Sequence, residues 1–405
     1  MSQRTQLTLF FAAVASMSMA VGVHDSIFNN FLSDTFALSA EHRGWLEFPR
    51  ELPGFLTVVS AAALFFLPVT RVAMVASFTF VIGMIGIAIL GTSFSWMVFL
   101  MMVGSTGLHL LQPSAGTIAI GLSDDSNRGR RMGQTGGFGM AGTVAGTGLV
   151  WLFFDKASPH YAQGFLIVAG LGALAAFLYS FMHVPHLHGP RRRFLVRRRF
   201  SLYYLLEILA GARKQVFLTF GPWVLIKIYG AGATSIAGYL LIAAIIGIAF
   251  RPVMGRVMDR FGERTVMIFD GLSLSLVCIG YGYAIAWLGT PERALPLASA
   301  CFVADNLLFM LGDARAVYLS RMAGTHEELN STLALGVSVN HIASMTIPTV
   351  AGALWVHFGY ERVFAAAAIL AIATAAIALK VPAKGVALRP VSQPTLAEAP
   401  EPAAD

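Results

Sequence analysis

Charge is scarce in this chain. Only 12% of its 405 residues are Asp, Glu, Lys or Arg, against 56% hydrophobic, and a soluble domain carries roughly twice that charged share. Cysteine is nearly absent: Cys278 and Cys301 are the two present, which excludes a disulfide framework and any cysteine-based metal spacing. No run of G-x-x-x-x-G-K followed by Ser or Thr occurs, so no P-loop is present to cradle a nucleotide. Any energy-requiring cycle is therefore expected to draw on a gradient.

What the chain does have is apolar length. A helix crossing a bilayer needs about 20 mostly apolar residues, and twelve such segments can be read at 7–32, 44–68, 72–91, 94–120, 132–154, 161–184, 202–228, 231–251, 265–288, 295–320, 328–357 and 360–380. The N-terminus, Arg4 followed by Leu7 to Ala20, has the look of a secretory signal. Apolar character continues to Phe31, and an even number of crossings needs this segment as a membrane helix. The formal charge of +7 does not indicate nucleic-acid binding, because the basic residues concentrate in connections on one side of the membrane, as the positive-inside rule requires. Both termini are expected in the cytoplasm of an inner-membrane, multi-pass protein. The densest cluster, Arg191, Arg192, Arg193, Arg197, Arg198 and Arg199, is expected to meet anionic headgroups.

That basic linker, 185–201, divides the chain into an expected first bundle at 1–184 and a second at 202–382, with a disordered tail at 383–405. Segment 5 ends Gly148-Leu149-Val150-Trp151 and segment 11 ends Gly352-Ala353-Leu354-Trp355. Segment 6 opens Tyr161-Ala162-Gln163-Gly164-Phe165, and segment 12 opens Tyr360-Glu361-Arg362-Val363-Phe364. Matches in corresponding segments indicate two parallel six-helix repeats.

Between segments 8 and 9 lies a dense polar run, Gly255-Arg256-Val257-Met258-Asp259-Arg260-Phe261-Gly262-Glu263-Arg264. Its pattern, G-x-x-x-D-R-x-G-x-R, resembles the loop signature of the major facilitator superfamily (MFS) of membrane transporters. The resemblance implies an all-α membrane protein of twelve helices in two six-helix bundles that rock around a central cavity lined by helices 1, 4, 7 and 10. It implies a carrier of a small molecule, with neither enzymatic activity nor a cofactor, and a monomer is expected. Two features depart from the family. The first-half copy of the signature is missing at Leu67-Pro68-Val69-Thr70-Arg71. Segment 5 carries Gly133, Gly137, Gly142, Gly146 and Gly148 but no proline, which removes one argument for a proton-driven drug antiporter.

In the signature, Asp259 is expected at a helix N-terminus, where a carboxylate satisfies free N–H groups and the helix dipole. Gly255, Arg260, Gly262 and Arg264 complete this gating loop, which the family braces against the opposite half, here near Arg130 and Arg131. Thr325-His326-Glu327-Glu328 matches a capping box at the start of segment 11. Asp313 and Arg315, two apart on one helix, cannot face each other; they need partners on segment 11 or in the first half and are expected to take part in gating between the halves. Glu47, Arg50 and Glu51 share a helix face and form an expected external gate, with Pro53-Gly54 just inside allowing a bend.

Polar residues deep in the membrane mark the transport path by default. Asp25, beside His24 on segment 1, is the leading candidate for proton coupling, with Asp305 its rival. Arg213 and Lys214, near the middle of segment 7, suit an anionic group of the substrate; the competing reading is an internal salt bridge from Arg213 or Lys214 to Asp305. His109, Gln112, Asn306 and His341 complete the substrate-binding set, with Asn340 adjacent. His24, His109 and His341 lie on different segments, so a metal site is not expected unless they converge. The reading is a gradient-driven transporter of a small anionic or zwitterionic organic solute. The alternatives are efflux of apolar or cationic compounds, a metal-ion permease, and a non-transporting receptor or assembly factor on the same scaffold.

Overall fold

The computed structural model describes residues 1–57, 59, 64, 66–123, 127–155, 159–184 and 196–384. Among these the chain is helical, without a strand. The helices are α1 (Gln3–Phe36), α2 (Ala40–Trp45), α3 (Glu47–Phe55), α4 (Val69–Leu90), α5 (Phe94–Gly121), α6 (Arg128–Phe153), α7 (Tyr161–Ser180), α8 (Ser201–Lys227), α9 (Ala233–Phe261), α10 (Glu263–Leu288), α11 (Pro291–Leu308), α12 (Asp313–Met322), α13 (His326–Phe358) and α14 (Tyr360–Ala378). Ten stretches are long and apolar enough to cross a membrane. The span of α8 is not among them because Glu207, Arg213, Lys214 and Lys227 interrupt its apolar run. The second crossing begins as α2 and α3, and part of it lies outside the described residues. These elements make up the twelve crossings of two six-helix bundles.

The two bundles pack alike. In the first, α1 lies on α6 and α7, and α4 lies on α5 and α7; in the second, α8 lies on α13 and α14, and α10 lies on α11 and α14. The short sequence repeats fall at matching points. Phe165 meets Phe31 of α1 at a centroid distance of 5.0 Å, and Phe364 meets Phe217 of α8 at 5.0 Å, both edge to face. Such aromatic pairs add to the area they bury, so each repeat anchors its sixth helix to its first.

Twelve crossings put the start of the first helix and the end of the last on one face, called here the terminal face; the other is the distal face. At the distal face the halves touch through backbone. A Cβ on Gly44 of α2 would lie 2.1 Å from the Pro348 carbonyl oxygen of α13, and one on Gly352 would lie 2.6 Å from that of Ala40. Small residues let helices approach this closely. Toward the terminal face the contact is looser: Gly133 and Gly137 of α6 and Gly255 of α9 have no neighbouring atom among the described residues within 4 Å of where a Cβ would be, and Gly136, between the first two, meets only the end of the Arg251 side chain of α9 at 3.8 Å.

Several boundaries differ from the sequence reading. α9 runs to Phe261 instead of ending near 251, carrying the signature as a projecting helical end until Gly262 turns the chain with φ of +83°. Asp259 therefore sits in the last turn of α9 and not at a helix N-terminus; Glu263, in the first turn of α10, holds that place and pairs with Arg321 of α12. The tenth crossing is interrupted by a 3-10 turn at Phe309–Gly312, and tight turns inside a helix often mark hinges. Of the tail, Ala383 and Lys384 are described, and Lys384 Nζ donates to the Asp259 and Arg260 carbonyls that end α9.

Candidate functional site

A cavity of about 440 Å³ lies between the halves. His24 and Asp25 reach it from α1, Arg50 and Glu51 from α3, His109 and Gln112 from α5, Glu207, Lys214 and Gln215 from α8, and Asn340 and His341 from α13. Spans 1, 4 and 7 thus line it as expected. Span 10 does not; spans 2 and 11 take its place, because α13 leans against α2 and α3 across the junction.

The wall supplied by α3 is a charged network. Glu47 is fully buried, and its carboxylate receives Arg43 Nη1 at 2.6 Å, Arg50 Nη2 at 2.5 Å and Gln215 Nε2 at 2.8 Å. A buried carboxylate tolerates desolvation only with such charge-assisted partners. Arg50 also holds Glu51 Oε1 at 2.8 Å, and the other Glu51 oxygen lies 3.0 Å from His341 Nδ1. Glu47, Arg50 and Glu51 therefore do share a face, and two of them reach the second half. Asn30 of α1 donates across the same junction to the Ala231 carbonyl at 2.9 Å.

The expected substrate ligands separate into two groups. Lys214, His109, Gln112 and His341 line the cavity. Arg213 is turned away and paired with Asp305, both side chains nearly buried at 7% and 9% exposure. The internal-pair reading thus describes Arg213, and Asp305 is its partner. Asn306 is also away from the cavity; its Nδ2 donates to the Phe302 carbonyl of its own helix at 2.9 Å. Lys214 packs its ammonium 5.1 Å above the Phe309 ring and has no ion pair among the described residues. Adjacent helix positions diverge by about 100°, which is why Arg213 and Lys214 face different surroundings.

Asp25 stands 59% exposed on the cavity wall and hydrogen-bonds His24 Nδ1 at 2.9 Å. His24 stacks on Phe28, with ring centroids 4.8 Å apart, and does not join His109 and His341.

A smaller cavity of about 170 Å³ inside the second half is lined by Arg213, Lys214, Asp270, Asp313 and Arg315. Arg315 pairs with Glu207 of α8 at 3.0 Å and Asp313 faces Arg251 of α9 at 3.8 Å. Both partners lie on α8 and α9 of the same half, not on span 11 or in the first half. The Asp259 carboxylate is exposed and has no hydrogen bond or ion pair among the described residues. Arg260 packs over Phe261 at 5.3 Å. Thr325 caps the helix as expected, its Oγ1 accepting from Glu328 N at 3.1 Å, while the Glu328 carboxylate reaches one residue past the N-cap and accepts from Gly324 N at 2.9 Å. Glu328 also holds Arg197 at 2.6 Å and contacts Arg199, so two linker arginines brace α13, while Arg198 is exposed. Arg191, Arg192 and Arg193 lie outside the described residues.

Sequence reasoning passed over Arg43, Glu207 and Asp270. Glu207 and Asp270 are acids inside apolar runs, the same signal that singled out Asp305. Asp270 Oδ1 is buried without a hydrogen-bond partner among the described residues.

No curated protein matches the chain. Among solved structures, a nucleoside transporter, NupG, aligns with a TM-score of 0.74 over 93% of this chain and 99% of its own at 13% identity. A D-xylose-proton symporter aligns with a TM-score of 0.72 over 93% and 97% at 15% identity. A bacterial homolog of the human lysosomal transporter Spinster, inward-facing and unoccupied, aligns with a TM-score of 0.70 over 93% and 96% at 13% identity. At these identities the likeness is one of fold. The sequence itself matches the Major Facilitator Superfamily profile over residues 9–328, and the chain belongs to that family of multi-pass membrane transporters.

Proposed function

We propose that this protein moves a small anionic or zwitterionic organic solute by alternating access, driven by a proton gradient, in the inner membrane with both termini cytoplasmic. The observation that carries the reading is the pair of charges left to the cavity. Arg213, Asp305, Glu207, Arg315, Glu47 and Arg50 are tied up in ion pairs. Lys214 and Asp25 are presented to the cavity, the first without an ion pair among the described residues and the second hydrogen-bonded to His24. An intramembrane cation is costly unless it is paired or functional, so Lys214 is assigned to an anionic group of the solute. Asp25 is assigned to proton coupling, with His24 beside it.

With the terminal face cytoplasmic, the close backbone contact at the distal junction supports reading this conformation as closed to the outside. The distal network of Glu47, Arg50, Glu51, Gln215 and His341 is assigned to the external gate. Asp259, with Gly255, Arg260, Gly262 and Arg264, is assigned to the internal one. A carboxylate in the last turn of a helix opposes the helix dipole, and its exposed position supports a partner gained in the inward-closed state, near Arg130 and Arg131. The bundles are taken as 1–184 and 202–382, and the carrier as a monomer.

The test is a thermal-shift screen of purified protein against carboxylates, amino acids and amines, followed by uptake into proteoliposomes. Stabilisation by anionic or zwitterionic solutes that is lost in Lys214→Gln supports the reading. Stabilisation by apolar amines alone, unaffected by that change, favours cation efflux instead.

A further inference from the structure

Three potential metal donors converge on the central cavity from three helices. Glu51 lies on α3, His109 on α5 and His341 on α13, and one ligand-capable atom from each lies within 4.8 Å of the other two. The imidazoles meet edge to face with centroids 5.0 Å apart. Glu51 is held by Arg50 through Oε1 at 2.8 Å, which leaves Oε2 toward His341.

The surroundings suit metal ligands. His109 Nδ1 is 2.9 Å from the Ser105 carbonyl and 3.1 Å from its hydroxyl. An imidazole that donates Nδ1–H to a carbonyl keeps Nε2 as a bare donor, the usual outer support of a metal-binding histidine. Gly54 supplies the space: a Cβ there would lie 2.4 Å from His341 Cε1 and 2.6 Å from His109 Nε2. One turn of α3 therefore contributes a ligand and makes room for the two rings.

Two imidazoles and a carboxylate form a donor set that suits zinc and its neighbours, in contrast to the all-oxygen shells of calcium and magnesium. A tetrahedral site with bonds of about 2.0–2.1 Å sets its donors about 3.4 Å apart, which side-chain rotation reaches from the present spacing. The three protein ligands leave a fourth position toward the cavity. Glu51 and His109 belong to the first half and His341 to the second, so a shared ion must break a bond before α3 and α13 separate.

We propose that Glu51, His109 and His341 bind a divalent transition metal of the zinc class, which staples the two halves with the distal face closed. The site stands on geometry alone; the stapling rests on the alternating-access reading above.

The test uses full-length purified protein, titrated with Zn²⁺ by calorimetry and with Co²⁺ by visible absorption. One ion per chain is expected, with the ligand-field bands of a four- or five-coordinate site. His109→Asn, His341→Asn and Glu51→Gln should each weaken binding by about tenfold or more, and Gly54→Ala should do so by displacing both rings. His24→Asn should leave metal binding unchanged. If the ligand variants do not fold, X-ray absorption on the zinc-loaded wild type decides: two imidazoles in the first shell support the site and an all-oxygen shell overturns it. No Co²⁺ bands in the wild type, or unchanged affinity in both His109→Asn and His341→Asn, also overturns it. Stapling is read separately from spin-label distances between cysteines placed at Ser93 and Glu292, one on the distal face of each half. Zinc should shift these to the shorter, distal-closed population; saturating zinc with an unchanged distribution refutes the stapling and leaves the site.

Discussion

Gln215 of α8 donates a 2.8 Å hydrogen bond to the Glu47 carboxylate of α3, across the junction between the two halves. The acceptor is shared with Arg43 and Arg50, so one neutral donor joins a charged cluster of the first half to the second.

Glu47→Ala should destabilise the protein by about 3–5 kcal/mol, because it leaves a buried arginine uncompensated. Gln215→Ala should cost only about 1.5–3 kcal/mol, the scale of a hydrogen bond to a charged group. It should also raise the distal-open population. Thermal unfolding in detergent and distal-face distances would check both; a Gln215→Ala protein that stays distal-closed to the wild-type extent argues against a gate.

Arg213 and Asp305 should behave as a structural pair. Arg213→Gln or Asp305→Asn alone should cost about 3–5 kcal/mol, and the double change should recover much of it, since no unpaired charge remains. Lys214→Gln should change stability little and weaken solute binding. A double-mutant cycle in thermal stability, set beside a binding titration for Lys214→Gln, separates the two roles. Full recovery of stability without recovery of transport would bring Arg213 back as a ligand.

Asp25→Asn should abolish solute accumulation driven by a pH gradient while leaving exchange across the membrane. A proton carrier must titrate during the cycle, and an amide cannot. Uptake into proteoliposomes with and without an imposed gradient is the measurement, and gradient-driven accumulation at the wild-type level removes Asp25 from the coupling role.

The junction between α1 and α6 depends on Gly22 of α1 and on two glycines of α6. A Cβ on Gly142 would lie 2.2 Å from the Ala15 carbonyl oxygen, and one on Gly146 would lie 2.1 Å from that of Met19. Gly146→Val should cost about 1–3 kcal/mol by forcing the backbones apart. Gly148→Ala, with no atom within 4 Å of its Cβ, should be near neutral in the same thermal assay.

The signature separates stability from transport. Glu263→Gln removes a buried charge paired with Arg321 and should lower the melting temperature. Asp259→Asn relieves an acid at a helix C-terminus and should hold or raise stability by about 0.3–1 kcal/mol, while transport falls. Equal transport by Asp259→Asn and wild type would end the gating assignment.

The sequence by itself determined the class of protein. Hydrophobicity accumulates residue by residue along a segment, so membrane spans can be read locally, and α8 begins and ends within a residue of the expected 202–228. The repeated Tyr-to-Phe openings were likewise legible, because each packs within its own half. The boundary of α9 was not: helical hydrogen bonds carry on past the last apolar residue until a glycine with positive φ ends them. Tertiary structure decided the site. Arg213 and Asp305 are 92 positions apart and Glu51 and His341 are 290 apart. Whether such residues meet depends on the rotation and tilt of each helix, which are set by its neighbours. Packing of α13 against α2 and α3 put spans 2 and 11 on the cavity in place of span 10 and brought two histidines and a glutamate together around Gly54, while the rotation of α8 pairs Arg213 with Asp305 of α11.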